Sequence, residues 1–153
     1  TFNQIGLAFD PAQAAHLWVE QHQLAPPYKD TDTFLASVGV DYPLCLVSDA
    51  DDDMILSHLQ KYAFDAVFTS ERFKSYKNSP GGELFRAVIT HYSTRPEQII
   101  HIGDGHSDIM GANQAGIAAC WLNREGIKWN HDIKPDYAVE SLDEAASILG
   151  IQT

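Results

Sequence analysis

The chain has 153 residues, enough for one domain of ordinary size. Its composition, 44% hydrophobic and 20% charged, is that of a globular protein and excludes a disordered or low-complexity chain. The formal net charge of −11 opposes binding to nucleic acid or to anionic lipid. No apolar run reaches the roughly 18–20 residues that span a bilayer. The sequence therefore predicts no nucleic-acid partner and no membrane segment.

The N-terminal segment lacks the basic start and the long apolar stretch of a secretory signal. Its first residue, Thr1, is not Met, which suggests a processed or partial chain. Cys45 and Cys120 lie in separate apolar runs and are expected to be free thiols, with a disulfide or redox pair as the alternative. These features predict a cytoplasmic protein.

Helix and strand patterns alternate along the chain. The first helix is predicted to run from Asp10 to about Gln23, because an acidic N-cap followed by Pro11 is typical of a helix start. Further helices are predicted over residues 32–37, 54–62 and 79–92, before Gly116, and between Ser141 and Gly150. Apolar runs predict strands over residues 44–47, 66–68, 99–102, 117–122 and 137–139. This alternation predicts an α/β fold with a parallel sheet covered by helices on both faces.

Polar side chains follow the predicted strands at the end where parallel sheets bind ligands. Ser48 ends one strand, Asp104 and Asp108 follow another, and Lys77 lies just before the third of the longer helices. Carboxylates are the oxygen ligands that Mg²⁺ prefers, while a hydroxyl and an ammonium hold phosphoryl oxygens and offset their charge. The four side chains therefore predict a site for a phosphoryl group and a divalent cation.

Each of these residues, taken singly, has a structural alternative. Ser48 could cap the helix that follows it, and Lys77 could be an ordinary solvated surface lysine. Asp104 and Asp108 could form a loop turn and a helix N-cap. His101, within a predicted strand, is expected to be a core histidine with its hydrogen bonds satisfied. The order of the four polar residues along the chain favours the phosphoryl site.

The same residues resemble the motifs of the haloacid dehalogenase (HAD) superfamily, in particular its phosphatase-like members with a helical cap. Leu46-Val47-Ser48 resembles the second motif, Ser75-Tyr76-Lys77 the third, and the run from Ile102 to Asp108 the fourth. The resemblance covers about residues 31–150. It implies a Rossmann-like, three-layer α/β/α core and an enzyme of the phosphoric monoester hydrolase type. Such an enzyme uses Mg²⁺ and an aspartyl-phosphate intermediate to hydrolyse a small phosphorylated metabolite.

The resemblance also implies a role for each matched residue. Ser48 would bind the phosphoryl group, and Lys77 would neutralise the charge of that group and of the nucleophile. Asp104 would ligate Mg²⁺, and Asp108 would ligate it or fix its waters. Asp49 and His106 are expected to contact the substrate, although a carboxylate at position 49 repels phosphate unless a cation offsets it.

The first motif of the family, an apolar strand followed by Asp-x-Asp-Gly-Thr, has no clear counterpart. The nearest segment is residues 5–10, but Ala12 stands where the second aspartate belongs, and Asp10 is better explained as a helix cap than as the nucleophile. The sequence therefore predicts a truncated chain. Residues 1–30 would be a remnant of the helical cap and its linker, and residues 31–153 the hydrolase core. The alternative is a non-catalytic remnant of the fold that binds phosphate or a cation weakly, or that contacts other proteins.

A missing first strand would remove the centre of the predicted sheet. The two strands beside it would then have open edges, which favours self-association into a homo-oligomer. The sheet could be completed by direct pairing of those strands, by a strand from another chain, or by residues 3–9.

Overall fold

The computed structural model describes residues 10–151, which form seven α-helices and five strands. The helices are α1 (Pro11–Leu24), α2 (Thr31–Asp41), α3 (Asp52–Lys61), α4 (Ser70–Phe73), α5 (Glu83–Tyr92), α6 (His106–Gln114) and α7 (Leu142–Ile148). The strands are β1 (Cys45–Ser48), β2 (Ala66–Thr69), β3 (Ile100–Gly103), β4 (Ala118–Leu122) and β5 (Tyr137–Val139). No helix within this part of the chain is both long and apolar enough to cross a bilayer.

The strands form two parallel sheets. One contains β1 and β2, and the other has the order β3-β4-β5. This confirms the predicted α/β class with parallel pairing. Within residues 10–151, β1 and β3 do not pair with each other, so direct pairing is not how the two sheets are joined. The candidate strand at residues 3–9 lies outside the described residues.

Strand β4 shows why helices cover both faces of the three-stranded sheet. Successive side chains of a strand point to opposite faces. Cys120 packs in a core cluster with residues of α2 and α7. Its neighbours Ala119 and Trp121 pack instead in a cluster with residues of α5 and α6. The buried β4 strand therefore separates two apolar layers, which confirms the three-layer α/β/α arrangement.

Local sequence signals explain the starts of α1 and α7. The Asp10 carboxylate accepts a hydrogen bond from the Ala12 amide (3.0 Å) and caps α1 where the sequence predicted. Ser141 caps α7 by accepting from the Glu144 amide at 3.2 Å. Helix α5 begins later than predicted because Gly82, with φ of +61°, holds its N-cap position in the left-handed region. The single turn of α4 was not predicted.

Asp30 anchors the segment between α1 and α2 to residues that follow the carboxyl ends of β4 and β5. Its two carboxylate oxygens accept from the Arg124 guanidinium at 2.8 and 2.9 Å, and one of them also accepts from the Leu142 amide at 2.9 Å. The Arg124 hydrogen bonds hold the pKa of Asp30 below its usual range. The guanidinium also lies 4.1 Å from the centre of the Tyr28 ring. These contacts fix where the chain enters α2.

A close helix contact gives the first testable prediction. Gly111 of α6 lies against the backbone carbonyl of Lys77, and an added methyl group would overlap that oxygen and the Phe85 ring. We expect Gly111→Ala to lower the free energy of unfolding by about 1–3 kcal/mol, because neither neighbour can move freely. Urea denaturation followed by circular dichroism measures this change. The control is Gln114→Ala in the same helix at an exposed position, expected within about 0.5 kcal/mol of the parent. Equal stability of the two variants would contradict the contact.

Candidate active site

The candidate site lies at the carboxyl ends of β1 and β3. Ser48 is the last residue of β1, and Gly103, the last of β3, precedes Asp104. Ligands of parallel α/β sheets bind at this end of the strands. The strand ends therefore place Ser48 and Asp104 where the sequence predicted chemistry.

Lys77 connects the ends of the two sheets. Its Nζ donates to Asp108 Oδ1 at 2.5 Å, and its backbone amide donates to Asp49 Oδ1 at 2.8 Å. The Lys77 side chain is only 13% exposed and that of Asp108 only 5%. The alternative of a solvated surface lysine is therefore wrong. Asp49 lies in the loop after β1 and Asp108 in the first turn of α6, so one lysine brings these two segments together.

Asp108 has its carboxylate satisfied on both oxygens. Oδ1 accepts from Lys77 and pairs with His101 Nε2 at 2.8 Å, while Oδ2 accepts from the Gly105 amide at 3.0 Å. Burial alone would raise the pKa of Asp108. The hydrogen bond from His101 and the charge of Lys77 outweigh that effect and lower the pKa to about 2. The N-cap alternative for Asp108 is wrong, because Gly105 holds the N-cap position of α6 and Asp108 is the third residue of that helix, where its Oδ2 accepts from the Gly105 amide.

His101 was predicted as a satisfied core histidine, and its contact with Asp108 was missed. Its ring also packs edge-on against Phe85, with 4.9 Å between ring centres. The signal that could have identified it is a polar residue inside the apolar run of β3, a few positions before the carboxylate that needs a partner. The histidine therefore helps to hold the Asp108 carboxylate in place.

Ser48 is half-buried and does not cap α3. Its Oγ accepts from the Ala50 amide at 3.1 Å, and the N-cap position of α3 is Asp51. The helix-cap alternative for Ser48 is therefore wrong. Among the described residues its hydroxyl makes no bond as a donor, which leaves the hydrogen available for an acceptor oxygen.

Asp104 is exposed, and within residues 10–151 its carboxylate makes no hydrogen bond or ion pair. Its backbone carbonyl accepts from Trp121 Nε1 at 3.0 Å, which fixes the loop after β3. His106 begins α6 beside it, and its ring stacks on that of His131 with 4.0 Å between centres. The site thus contains the exposed carboxylate of Asp104, and four positions later the buried, hydrogen-bonded carboxylate of Asp108.

Comparison with known proteins gives the family of the chain. The family model of haloacid dehalogenase-like hydrolases matches residues 10–122. The chain belongs to this family. The match spans α1 to the end of β4 and includes all the candidate site residues.

Curated relatives of this HAD-like hydrolase domain include pyrophosphatases. PpaX of Bacillus mycoides (strain KBAB4) is 30% identical over 97 residues, which are 61% of this chain and 43% of that protein. PpaX of Bacillus cereus (strain B4264) is 29% identical over 96 residues. The matched region therefore spans less than half the length of these relatives.

Solved structures of the family share the fold over nearly the whole chain. A HAD phosphatase from Thermococcus onnurineus superposes with a TM-score of 0.74 at 25% identity, covering 99% of this chain and 69% of that one. The HAD hydrolase YfnB from Bacillus subtilis, solved with magnesium bound, gives a TM-score of 0.84 at 22% identity. It covers 98% of this chain and 67% of that one.

The buried ion pair gives a prediction for acid stability. The pKa of Asp108 is about 2 in the folded chain, below its usual value of 3.8, so the contribution of this carboxylate to stability is full above about pH 4 and is lost as the pH falls towards 2. That contribution is on the order of 2 kcal/mol. We expect Asp108→Asn, which leaves Lys77 without its counter-charge, to destabilise the fold by about 3–5 kcal/mol at pH 7.

The same variant should also flatten the decline in unfolding free energy between pH 4 and pH 2. Denaturant titrations at a series of pH values measure both effects. The control, Asp41→Asn, removes an exposed carboxylate and should keep the parent's pH dependence. Parallel curves for the parent and Asp108→Asn would show that the pair does not lower this pKa.

Proposed function

We propose that the protein to which this chain belongs is a Mg²⁺-dependent phosphatase of a small phosphorylated metabolite. The observation that carries the proposal is the position of Lys77, whose amide binds Asp49 in the loop after β1 and whose ammonium binds Asp108 in the first turn of α6. The Lys77 ammonium lies at the end of a parallel sheet where ligands bind, and its positive charge would attract a phosphoryl group. The pyrophosphatase relatives support a substrate that contains phosphate.

Each site residue has a proposed task. The Ser48 hydroxyl donates to a phosphoryl oxygen, and the Lys77 ammonium offsets the negative charge that increases during transfer. Asp49 holds the Lys77 loop by accepting a hydrogen bond from the Lys77 amide, and one of its oxygens is therefore already engaged before substrate arrives. His106 faces the organic part of the substrate.

The carboxylates fit a hard divalent cation. Asp104 offers oxygens that no described residue occupies, whereas both oxygens of Asp108 already accept hydrogen bonds. Asp104 would therefore be the direct ligand and Asp108 would fix the position of the coordinating waters. Bound Mg²⁺ would supply positive charge opposite the phosphoryl oxygens.

No residue from 10 to 151 is assigned as the nucleophile of the proposed mechanism. Asp10, the one candidate from the sequence, caps α1 through the Ala12 amide. This bond favours the second candidate function, a HAD-fold domain that binds phosphate or a cation weakly without turnover. The coding sequence upstream of Thr1 separates the two: an in-frame Asp-x-Asp-Gly-Thr segment supports the phosphatase, and its absence supports the binding domain.

The remaining assignments complete the proposal. We place the remnant of the cap and its linker in residues 1–30 and the core in residues 31–153. We also propose a cytoplasmic location, a small-molecule partner rather than nucleic acid or membrane, and self-association through open sheet edges.

Magnesium binding tests the ligand assignment. Within residues 10–151 no three His, Cys, Asp or Glu side chains converge on a metal position. We therefore expect a dissociation constant on the order of millimolar for Mg²⁺, because few protein oxygens replace its water shell. Asp104→Asn should weaken binding at least fivefold, whereas Asp41→Asn, with the same change in net charge, should leave it unchanged. Titrations followed by NMR of the amides of residues 104–108 measure this. A micromolar constant, or equal effects of both variants, would contradict the assignment.

Phosphate binding and turnover test the function itself. We expect inorganic phosphate to shift the amide signals of residues 48–50, and Ser48→Ala to weaken its binding about tenfold through loss of a hydrogen bond to a charged group. Ser147→Ala, on the exposed face of α7, is the matched control. The 153-residue chain should hydrolyse para-nitrophenyl phosphate with Mg²⁺ no faster than the blank. Robust turnover abolished by Asp104→Asn would refute the view that its nucleophile is absent from residues 10–151.

A further inference from the structure

The segment between β4 and β5, residues 123–136, is long and contains no helix or strand. We call it the β4–β5 loop. The Asn123 side chain closes one part of it on the Ile127 backbone, at 3.0 and 2.9 Å. Trp129 Nε1 donates to the Ile133 carbonyl at 2.8 Å, and Lys134 Nζ donates to the His131 carbonyl at 2.7 Å. Loops of this length without secondary structure are usually functional, and these bonds hold this one in shape.

Four aromatic rings form a continuous cluster from the core to the surface. Trp121 is buried and meets Trp129 edge-on, with 4.7 Å between ring centres. Trp129 meets His131 at 5.0 Å, and His131 stacks on His106 at 4.0 Å with 29° between the ring planes. His131 is exposed and His106 is half-buried. The cluster thus ends in imidazole rings that solvent can reach.

The exposed end of this cluster lies beside the candidate active site. Two adjoining hollows of about 290 and 310 Å³ share His106, Asn130 and His131 as walls. Asp104 and Trp121 line the smaller hollow, and the indole N–H of Trp121 binds the Asp104 carbonyl. We call the two hollows together the aromatic cleft. A group bound there would be next to a phosphoryl group held at Asp104.

We infer that the aromatic cleft binds a planar aromatic ring in the organic part of the substrate, as in a nucleotide or an aryl phosphate. The inference rests on the proposed function, since it names the substrate class of that site. Flat aromatic rings stack on imidazole and indole rings, and offset or edge-on arrangements are stabilised by attraction between the negative face of one ring and the positive edge of the other. Asn130 and Asp132 at the rim offer polar partners for ring substituents, while Ile133 and Met110 supply apolar wall.

The test compares ligands that share a phosphate and differ in the ring. Adenosine 5′-monophosphate, phenyl phosphate, ribose 5-phosphate and adenosine are titrated into the 153-residue chain, and the tryptophan indole signals are followed by NMR. Trp18, on α1 and 60% exposed, serves as a control within the molecule. We expect the nucleotide to bind about tenfold more tightly than ribose 5-phosphate, as base stacking on aromatic side chains usually allows. The Trp129 signal should shift and the Trp18 signal should not.

Variants of the exposed ring separate stacking from folding. His131→Ala should remove the preference for the nucleotide and leave ribose 5-phosphate binding unchanged, whereas His131→Phe should retain the preference. His16→Ala, at an exposed position of α1, should have no effect. Comparable binding of phenyl phosphate would show that an aryl ring suffices, and weaker binding would show that the base is recognised; both support the inference.

Failure of this inference and failure of the proposed function give different results. Equal affinities for the nucleotide and ribose 5-phosphate, or a preference that survives His131→Ala, would overturn the aromatic cleft and leave the phosphate site intact. Binding of adenosine at Trp129 without any binding of ribose 5-phosphate would support the cleft and refute the phosphate site. No binding of any of the four ligands would overturn both.

Discussion

The buried ion pair between Lys77 and Asp108 is the constraint on which the rest of the site depends. Moving two charges out of water costs several kcal/mol each, so such a pair is tolerated only when its hydrogen bonds are complete. Asp108 meets this condition with donors from Lys77, His101 and Gly105. The bare contact of Gly111 with the Lys77 carbonyl allows α6 to come close enough for the pair to form. The position of Lys77 is therefore set both by the packing of its backbone against α6 and by the ion pair of its side chain with Asp108.

The same packing leaves two carboxylates, four positions apart, in different environments. Asp108 is buried and accepts hydrogen bonds on both oxygens, whereas Asp104 is exposed. A second ion pair, Asp30 with Arg124, lies just beyond the carboxyl end of β4 and fixes the entry to α2. Both pairs hold chain segments at the carboxyl ends of strands, the end at which parallel α/β sheets bind ligands. The site is thus organised before any ligand binds, which lowers the cost of ordering it.

Much of the fold could be predicted from local patterns. The Asp10-Pro11 start of α1, the Ser141 cap of α7 and the apolar runs of β1 to β5 all depend on neighbouring residues alone. Boundaries were less accurate where a backbone conformation intervened, as at Gly82 before α5. The candidate site could be located because strand ends in a parallel sheet lie at one edge. The family resemblance then gave each residue a role, and the family itself is confirmed.

The sequence by itself determined the order of the elements and the identity of the polar residues at the strand ends, because these follow from local periodicity, and its motifs resemble those of the family that the chain belongs to. Only the tertiary structure decided which of those residues are buried and which partners they meet. His101 and Asp108, or His106 and His131, become neighbours through the packing of β3, α6 and the β4–β5 loop. Contacts of that kind depend on how whole helices, strands and loops pack against one another, and local sequence patterns do not determine that packing.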